Sequence, residues 1–233
     1  MLTEGEKMKK KVAIITCFFS LFSIAIAGYT DPLEGNTKVI NGNTLYVGGS
    51  GPNNYTRIQD AINDASNGDT IFVYDDSSPY YENLIIDKSI RLIGEDKEIT
   101  IIDGMKKGNV IKINANDVVI KNFTIINGYK KWYLSSGIYI NSSCNSIYNC
   151  NICSNECGIY VGNGYNRIEE CHIYLNNYTG VVLSSPSNII GNCKIYKNEK
   201  GIESTPNNMI LSCEIFGNEY GIWSASNNLY TIM

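Results

Sequence analysis

The chain has 233 residues and carries 19 Lys and Arg against 23 Asp and Glu, a formal net charge of −4. A hydrophobic fraction of 43% over this length is sufficient for one domain with a substantial core. Nucleic-acid-binding proteins usually carry a basic footprint, and this mildly acidic chain does not, so we expect no nucleic-acid partner.

The first 27 residues have the pattern of a secretory signal peptide. The basic stretch Met8–Lys11 precedes the apolar run Val12–Ala27, which closes on the small-x-small site Ala25–Ala27. A retained transmembrane anchor is the alternative, but the run is short for a membrane span. We therefore expect residues 1–27 to be removed, residues 28–42 to form a linker, and the product to be secreted or held at the cell surface with no membrane span.

A helix is predicted within YTRIQDAINDASNGD, residues 55–69. Thr56 and Gln59 have the spacing of a capping box, and Gly68 is a typical stop signal. One apolar face is formed by residues at helical spacing, namely Ile58, Ala61, Ile62 and Ala65. We expect this helix to cover the N-terminal strand edges of the β structure that follows, edges that would otherwise invite association.

Short apolar runs bounded by turn residues follow this helix and predict strands. The runs DTIFVYD, ENLIID, SIRLIG and ITIIDG are assigned to a first turn of a solenoid, and NVIKIN, DVVIKN and FTIING to a second.

A repeat of 20 to 22 residues occupies the rest of the chain, and each unit opens on a glycine: Gly137, Gly158, Gly180, Gly201 and Gly221. Such a period indicates a solenoid. Leucine-rich repeats are the alternative, but these units are rich in Ile, Tyr, Val and Asn and lack helical periodicity. The pattern therefore predicts an all-β parallel β-helix with three short strands and about 21 residues per turn.

Neighbouring turns of a β-helix lie about 4.8 Å apart, so residues at aligned positions of the repeat stack directly on one another. Three aliphatic columns are predicted to face inward: Ile138, Ile159, Val181, Ile202 and Ile222; Ile147, Ile168, Ile190 and Ile210; and Ile152, Ile173, Ile195 and Ile215. Two asparagine ladders are predicted at bends, where asparagine tolerates left-handed geometry: Asn145, Asn166, Asn188, Asn208 and Asn228; and Asn155, Asn176, Asn198 and Asn218. We interpret both ladders as structural.

Four cysteines form one further inward column: Cys150, Cys171, Cys193 and Cys213. We expect free buried thiols there, because a disulfide needs Cβ atoms about 3.8 Å apart, closer than the spacing of turns. For Cys144, Cys153 and Cys157 the alternatives are a disulfide, a metal cluster with Cys150, or free thiols. Alternation places Cys150 inside and Cys153 outside, which disfavours convergent ligands, so no metal and no cofactor are predicted.

These patterns carry a family resemblance over about residues 43–233. The helix followed by GDTIFVYDDSSPYYENLIIDKSIRLIGEDKEITIIDG resembles the N-terminal region of right-handed parallel β-helix proteins of the pectin lyase-like superfamily. The later Asn-x-Ile, Asn-Cys-x-Ile and Gly-Ile repeats resemble the carbohydrate-binding and sugar-hydrolysis repeat family, also called NosD-like. The resemblance implies carbohydrate binding, polysaccharide cleavage or copper-site maturation.

No catalytic or copper site is recognisable in the sequence. The resemblance implies clustered acids for polysaccharide cleavage, yet from Gly137 onward the chain has no Asp and a single Arg, Arg167. Its only histidine, His172, is predicted to point outward alone, a poor site for copper. We therefore expect a carbohydrate-binding or structural module. A polysaccharide lyase or hydrolase is the first alternative, and a copper-maturation accessory protein is the second.

One irregular loop, GYKKWYLSS at residues 128–136, is the predicted carbohydrate site. Exposed aromatic rings stack on sugars, and loops on a regular scaffold tend to carry function. The predicted site residues are the loop residues Tyr129, Lys130, Lys131, Trp132 and Tyr133 and the neighbouring outward residues Tyr139 and Tyr160. The alternative is that Trp132 and Tyr133 pack over the solenoid. Tyr174, Tyr196 and Phe216 are predicted to form a structural stack.

Two further features bear on partners. Sequons at Asn54, Asn122, Asn141 and Asn177 permit glycosylation of an exported chain. The final repeat stops at the Asn228 column, so we expect a solenoid truncated at its C-terminus that associates with itself through that end.

Overall fold

The computed structural model describes residues 42–129, 135–224 and 231–232. They form an all-β parallel solenoid of about eight turns, with roughly 22 residues per turn and one helix near the N-terminus, which confirms the predicted fold class. Within these residues no helix has the length and apolar character that crossing a membrane would need. The predicted signal peptide, Lys130, Lys131, Trp132, Tyr133 and Asn228 lie outside the described residues.

Three parallel sheets make up the solenoid, and from the second strand onward each turn passes through the first, second and third sheet in that order. The first sheet contains, in spatial order, β1 (Thr44–Val47), β2 (Thr70–Val73), β5 (Arg91–Gly94), β8 (Val119–Lys121), β11 (Ser146–Tyr148), β14 (Arg167–Glu169), β17 (Ile189–Gly191), β20 (Met209–Leu211) and β23 (Thr231–Ile232). The second contains β3 (Tyr80–Tyr81), β6 (Ile101–Asp103), β9 (Thr124–Ile126), β12 (Asn151–Cys153), β15 (His172–Tyr174), β18 (Lys194–Tyr196) and β21 (Glu214–Phe216). The third contains β4 (Leu84–Ile86), β7 (Ile111–Ile113), β10 (Ser136–Ile140), β13 (Cys157–Val161), β16 (Thr179–Leu183), β19 (Lys200–Ser204) and β22 (Tyr220–Trp223).

The grouping of the early strands into turns was wrong. β2 and β5 pair in the first sheet, with Ile71 opposite Leu92, so they belong to successive turns. The first full turn therefore ends at β4. Its middle strand, β3, is only two residues long and was not recognised in the sequence.

The helix α1 (Ile58–Asp64) lies between β1 and β2 and buries its predicted apolar face. The predicted capping box is wrong, because no side chain near the start of the helix caps it. The carboxylate of Glu82, which follows β3, instead accepts hydrogen bonds from the backbone N–H groups of Ile58 at 2.7 Å and Gln59 at 3.0 Å. The helix is therefore capped by the turn on which it packs.

The three aliphatic columns are confirmed where they are described. Ile138 pairs with Ile159, Ile147 with Ile168, and Ile152 with Ile173, and later turns keep the same register. All six of these side chains are buried. The core is therefore a set of like residues stacked along the axis.

Both asparagine ladders are confirmed. In each ladder, the asparagine side chain accepts a hydrogen bond from a backbone N–H group of the preceding turn. Asn176 Oδ1 accepts from the backbone N–H of Asn155 at 3.1 Å, and Asn166 Oδ1 accepts from that of Asn145 at 3.0 Å. The left-handed residue at each bend was misplaced by one position, because φ is positive at Cys144 and Ser154, directly before the ladder asparagines. The amides thus satisfy N–H groups that the strands leave unpaired at the corners.

The repeated glycine is required by this packing. A Cβ at Gly158 would lie 2.4 Å from the carbonyl oxygen of Gly180 and 3.0 Å from Nδ2 of Asn176. The glycine and asparagine columns therefore fit against each other, and a side chain at the glycine position has no room.

The described cysteines are free thiols, and the predicted column is inward. Cys150, Cys171 and Cys193 are buried, and Cys171 Sγ donates to the carbonyl of Glu169 at 3.2 Å. Cys153 lies on the outward side of its strand, as predicted, but it is only 9% exposed.

Candidate functional site

The turns differ most at the second corner, where the chain passes from the second sheet to the third. In the later turns this corner is short, for example residues 197–199 between β18 and β19. It is longer in two early turns, at residues 104–110 and 127–135, and the corner at residues 175–178 carries one extra residue. Corner length therefore varies over the widest range here.

A cleft of about 500 Å³ lies at this corner. Its lining comes from four successive turns: Lys106, Asn127, Tyr129, Ser154, Asn155, Leu175 and Asn177. Lys106, Ser154 and Asn177 are exposed, Tyr129 is half-buried, and Leu175 is 51% exposed. The cleft thus combines one aromatic ring, one cation and several side-chain amides and hydroxyls.

The first wall of the cleft is an unusually constrained loop. Met105 and Lys106 both have left-handed φ angles, 54° and 58°, which cost residues other than glycine of order 1 kcal/mol each. Asp103 Oδ1 accepts from the Met105 N–H at 2.7 Å, and the Lys106 N–H donates to the carbonyl of Asn127 at 3.0 Å. These bonds hold Lys106 in place at the cleft before any ligand arrives.

Asp103 also holds the next wall, because its Oδ2 accepts from Asn127 Nδ2 at 2.9 Å. The Gly108 N–H donates to the Tyr129 carbonyl at 3.0 Å and joins the two long corners as a short antiparallel bridge. The preceding turn therefore positions Tyr129.

The structure divides the predicted carbohydrate residues between two places. Tyr129 lines the cleft. Tyr139 and Tyr160 stack on the outer side of the third sheet, with ring centroids 5.1 Å apart and planes 6° apart. No sugar fits between these two rings, so their shared faces are closed, and the Tyr160 hydroxyl accepts from Ser184 Oγ at 3.0 Å. Lys130, Lys131, Trp132 and Tyr133 lie outside the described residues.

The second aromatic column is confirmed as a stack. Centroids of Tyr174 and Tyr196 are 5.0 Å apart, as are those of Tyr196 and Phe216, with the rings nearly parallel. Like the aliphatic columns, this stack follows from the register of the second sheet.

Acidic groups near the cleft are used in structural contacts. Both oxygens of Asp103 accept hydrogen bonds, and Glu156 Oε2 accepts from the Ser135 N–H at 3.2 Å. Glu203 lies between Val182 and Trp223 in the outward column of the third sheet and pairs with Lys200 at 2.9 Å.

The histidine and cysteines form no metal cluster within the described part of the chain, where no three or more His, Cys, Asp and Glu residues could hold an ion. His172 lies on the second sheet between Asn151 and Lys194. Burial, together with the charges of Lys97 and Lys194, lowers the pKa of its imidazole.

Sequence reasoning missed most of the cleft lining: Lys106, Asn127, Ser154, Leu175 and Asn177. The available signal was corner length, because the extra residue between Ile173 and Gly180 marks the turn that contributes Leu175 and Asn177. That signal shows where turns differ, but it does not show that three such corners meet.

Comparison with known proteins decides the family. The model of the right-handed β-helix region matches residues 108–232. The chain belongs to this family. Among curated protein sequences, none matches it.

Solved structures with the same fold include pectin-active enzymes of the pectin lyase-like superfamily. The pectate lyase Pel9A has a TM-score of 0.61 at 16% identity, over 80% of this chain and 56% of that one. A pectin methylesterase in complex with a hexasaccharide has a TM-score of 0.59 at 15% identity, over 78% and 66%. The Aspergillus niger pectin methylesterase has a TM-score of 0.59 at 15% identity, over 81% and 84%. This chain thus spans about half to two thirds of the first two proteins, and identities this low establish the fold alone.

Proposed function

We propose that this chain is an exported β-helix module that binds an extended polysaccharide in the cleft at the second corner. The observation that carries the proposal is the cleft itself, in which Lys106, Asn127, Tyr129 and Asn177 converge from separate turns.

The chemistry of the lining suits a sugar chain. An aromatic ring packs against the apolar face of a sugar, and amides and hydroxyls both donate to and accept from sugar hydroxyls. Asn177 and Ser154 are exposed and supply such groups. Lys106 adds a positive charge that would favour an acidic polysaccharide over a neutral one.

The spacing of the lining residues also suits a polymer. Successive turns are about 4.8 Å apart, so equivalent corner positions repeat along the axis at a spacing close to that of sugar units in an extended chain. A ligand lying along the corner would therefore meet Lys106, Asn127, Ser154 and Leu175 in succession.

Support from known structures is limited to the fold. One solved structure of this fold is a pectin methylesterase with a bound hexasaccharide, which shows that the scaffold can present a sugar-binding surface. Export is supported by the signal-peptide pattern of residues 1–27. Recovery of the chain from the culture medium with Gly28 as its first residue would test that part.

The test of binding is calorimetry of the purified chain against a panel of neutral and acidic polysaccharides. Tyr129→Ala and Lys106→Ala should each weaken binding about tenfold, which corresponds to about 1.4 kcal/mol. Lys107→Ala is the matched control, because Lys107 is the exposed neighbour of Lys106 but does not line the cleft. Its affinity should stay unchanged.

Two results would contradict the proposal. Equal affinities for Lys106→Ala, Lys107→Ala and Tyr129→Ala would place any binding elsewhere on the solenoid. Release of reducing ends or unsaturated sugars by the unmodified chain would replace binding with the lyase or hydrolase alternative.

A further inference from the structure

The four sequons differ in how much of each acceptor the fold leaves accessible. In N-glycosylation, Asn Nδ2 attacks C1 of an oligosaccharide carried on a lipid diphosphate. The N–C1 bond forms, the C1–O bond breaks, Nδ2 loses a proton and the lipid diphosphate leaves. The motif requires Ser or Thr at its third position, so a transferase has to reach that hydroxyl as well as the amide.

In the sequon Asn54-Tyr55-Thr56, the acceptor amide is not accessible to a transferase. Asn54 Nδ2 donates to the carbonyl of Gly48 at 2.5 Å, and a Cβ at Gly51 would lie only 2.5 Å from Asn54 Oδ1. The amide is therefore turned into its own loop and away from an incoming enzyme.

The sequon Asn122-Phe123-Thr124 fails at both groups. Asn122 is half-buried, and its Oδ1 accepts from Asn149 Nδ2 at 2.8 Å. Thr124 Oγ1 donates to the Lys97 carbonyl at 2.6 Å, and Phe123 between them is fully buried. Reaching this site requires opening of the turn.

The sequon Asn177-Tyr178-Thr179 fails at its hydroxyl. Asn177 is exposed at the cleft, but Thr179 begins β16 and is only 5% exposed. Because Thr179 is buried in a strand that pairs with the next turn, its hydroxyl becomes available only when the third sheet opens locally.

The sequon Asn141-Ser142-Ser143 alone presents both groups. It lies in the corner between β10 and β11, outside every strand. The side chain of Asn141 is exposed, Ser143 is half-exposed, and neither side chain has a hydrogen-bond partner among the described residues. In the next turn a Cβ at Gly162 would lie 3.8 Å from Asn141 Oδ1, and the glycine has no side chain that could cover the amide. We propose that Asn141 is the N-glycan acceptor of the folded chain.

The attachment point at Asn141 lies away from the cleft. Tyr129 precedes β10 and Asn141 follows it, and a five-residue strand spans about 16 Å at about 3.3 Å per residue. Modification in the cell requires the proposed export, but the chemical preference among the four sequons does not.

The experiment uses the purified, folded chain, a purified oligosaccharyltransferase and a lipid-diphosphate oligosaccharide, with glycopeptides measured by mass spectrometry. Four synthetic peptides, one for each sequon, are used to choose an enzyme that modifies all of them. In the folded chain, occupancy at Asn141 should exceed that at each other sequon by about tenfold or more, because the others need local opening. Ser143→Ala should abolish the modification, and Ser143→Thr should retain it.

The outcome that overturns the proposal is occupancy at Asn54, Asn122 or Asn177 equal to that at Asn141, or an unmodified Asn141 beside a modified peptide. Polysaccharide affinity measured before and after modification separates this result from the proposed function. Unchanged affinity is expected with Asn141 occupied, and a loss would show that the glycan reaches the cleft.

Discussion

The later turns, from β10 to β22, and the early turns, from β1 to β9, have the same three sheets but different corners. In the later turns the corners are short, and one asparagine after another satisfies the N–H group of the turn below. In the early turns several corners are longer, such as residues 95–100 and 104–110, and individual side chains hold them.

Individual polar groups replace the ladders in the early turns. Asp69 accepts from the N–H groups of Asn43 and Ser66, both at 2.7 Å. Asn83 Nδ2 donates to the carbonyls of Gly104 at 3.2 Å and Asn109 at 2.8 Å. Asp69 and Asn83 thus do locally what a repeated ladder does in the later turns.

The difference shows how a repeat scaffold acquires a site. Identical turns satisfy their own backbone but offer the same surface at every level. The cleft forms where long early corners, carrying Lys106 and Tyr129, meet the shorter corners that carry Ser154 and Leu175. Irregular corners supply the shape, and the regular turns supply a rigid support.

The largest expected effect is on the glycine column of the later turns. A Cβ at Gly180 would lie 2.6 Å from the Gly201 carbonyl oxygen and 3.0 Å from Asn198 Nδ2. Gly180→Ala should lower the free energy of unfolding by about 3 kcal/mol in urea denaturation, because backbone has to shift.

The control is Gly221→Ala, in the same column, where an added Cβ meets no described atom within 4 Å. Its effect should stay within about 0.5 kcal/mol. Equal losses for both variants would show that the glycines are needed for another reason than this packing.

The next effect is on the asparagine ladder. Asn176 accepts from the Asn155 N–H and donates to the carbonyl of Ile152 and to Asn198 Oδ1. Asn176→Ala should cost about 2 kcal/mol, because buried partners are left unsatisfied. Asn177→Ala, at the exposed neighbour, should leave urea unfolding almost unchanged, and a similar cost for both would contradict the ladder's role.

A smaller effect is expected at the helix cap of the early turns. Glu82→Ala removes the acceptor for the Ile58 and Gln59 N–H groups and should cost about 1–2 kcal/mol. Thr56→Ala, which removes the cap predicted from sequence, should have little effect on thermal unfolding. A larger loss for Thr56→Ala than for Glu82→Ala would show that the capping box predicted from the sequence does cap the helix.

A last effect appears only at alkaline pH. Burial raises the pKa of the Cys157 thiol to about 12. The folded chain therefore keeps this proton where the unfolded chain loses it, so stability falls as pH rises from about 9 to about 12. Cys157→Ala should reduce that slope by about 1.4 kcal/mol per pH unit in urea denaturation, whereas Cys144→Ala, at an exposed thiol whose pKa is raised less, should reduce it less.

The sequence by itself determined the repeating part of this protein. A period of 20 to 22 residues with one residue type at each position leaves few other ways to bury Ile138, Ile159 and Val181 together. The asparagine ladders and the inward thiols followed from the same alignment. These predictions succeeded because contacts between adjacent turns join like residues at a constant separation in sequence.

Only the tertiary structure decided the non-repeating contacts. Glu82 caps a helix more than 20 residues away, and Lys106, Tyr129 and Asn177 meet in one cleft although they lie in turns of unequal length. It also decided that Tyr139 and Tyr160 close each other's faces. The physical reason is that inserted corners break the constant separation. Where such corners run is then set by packing and by single hydrogen bonds, such as those of Asp103, that have no periodic signature.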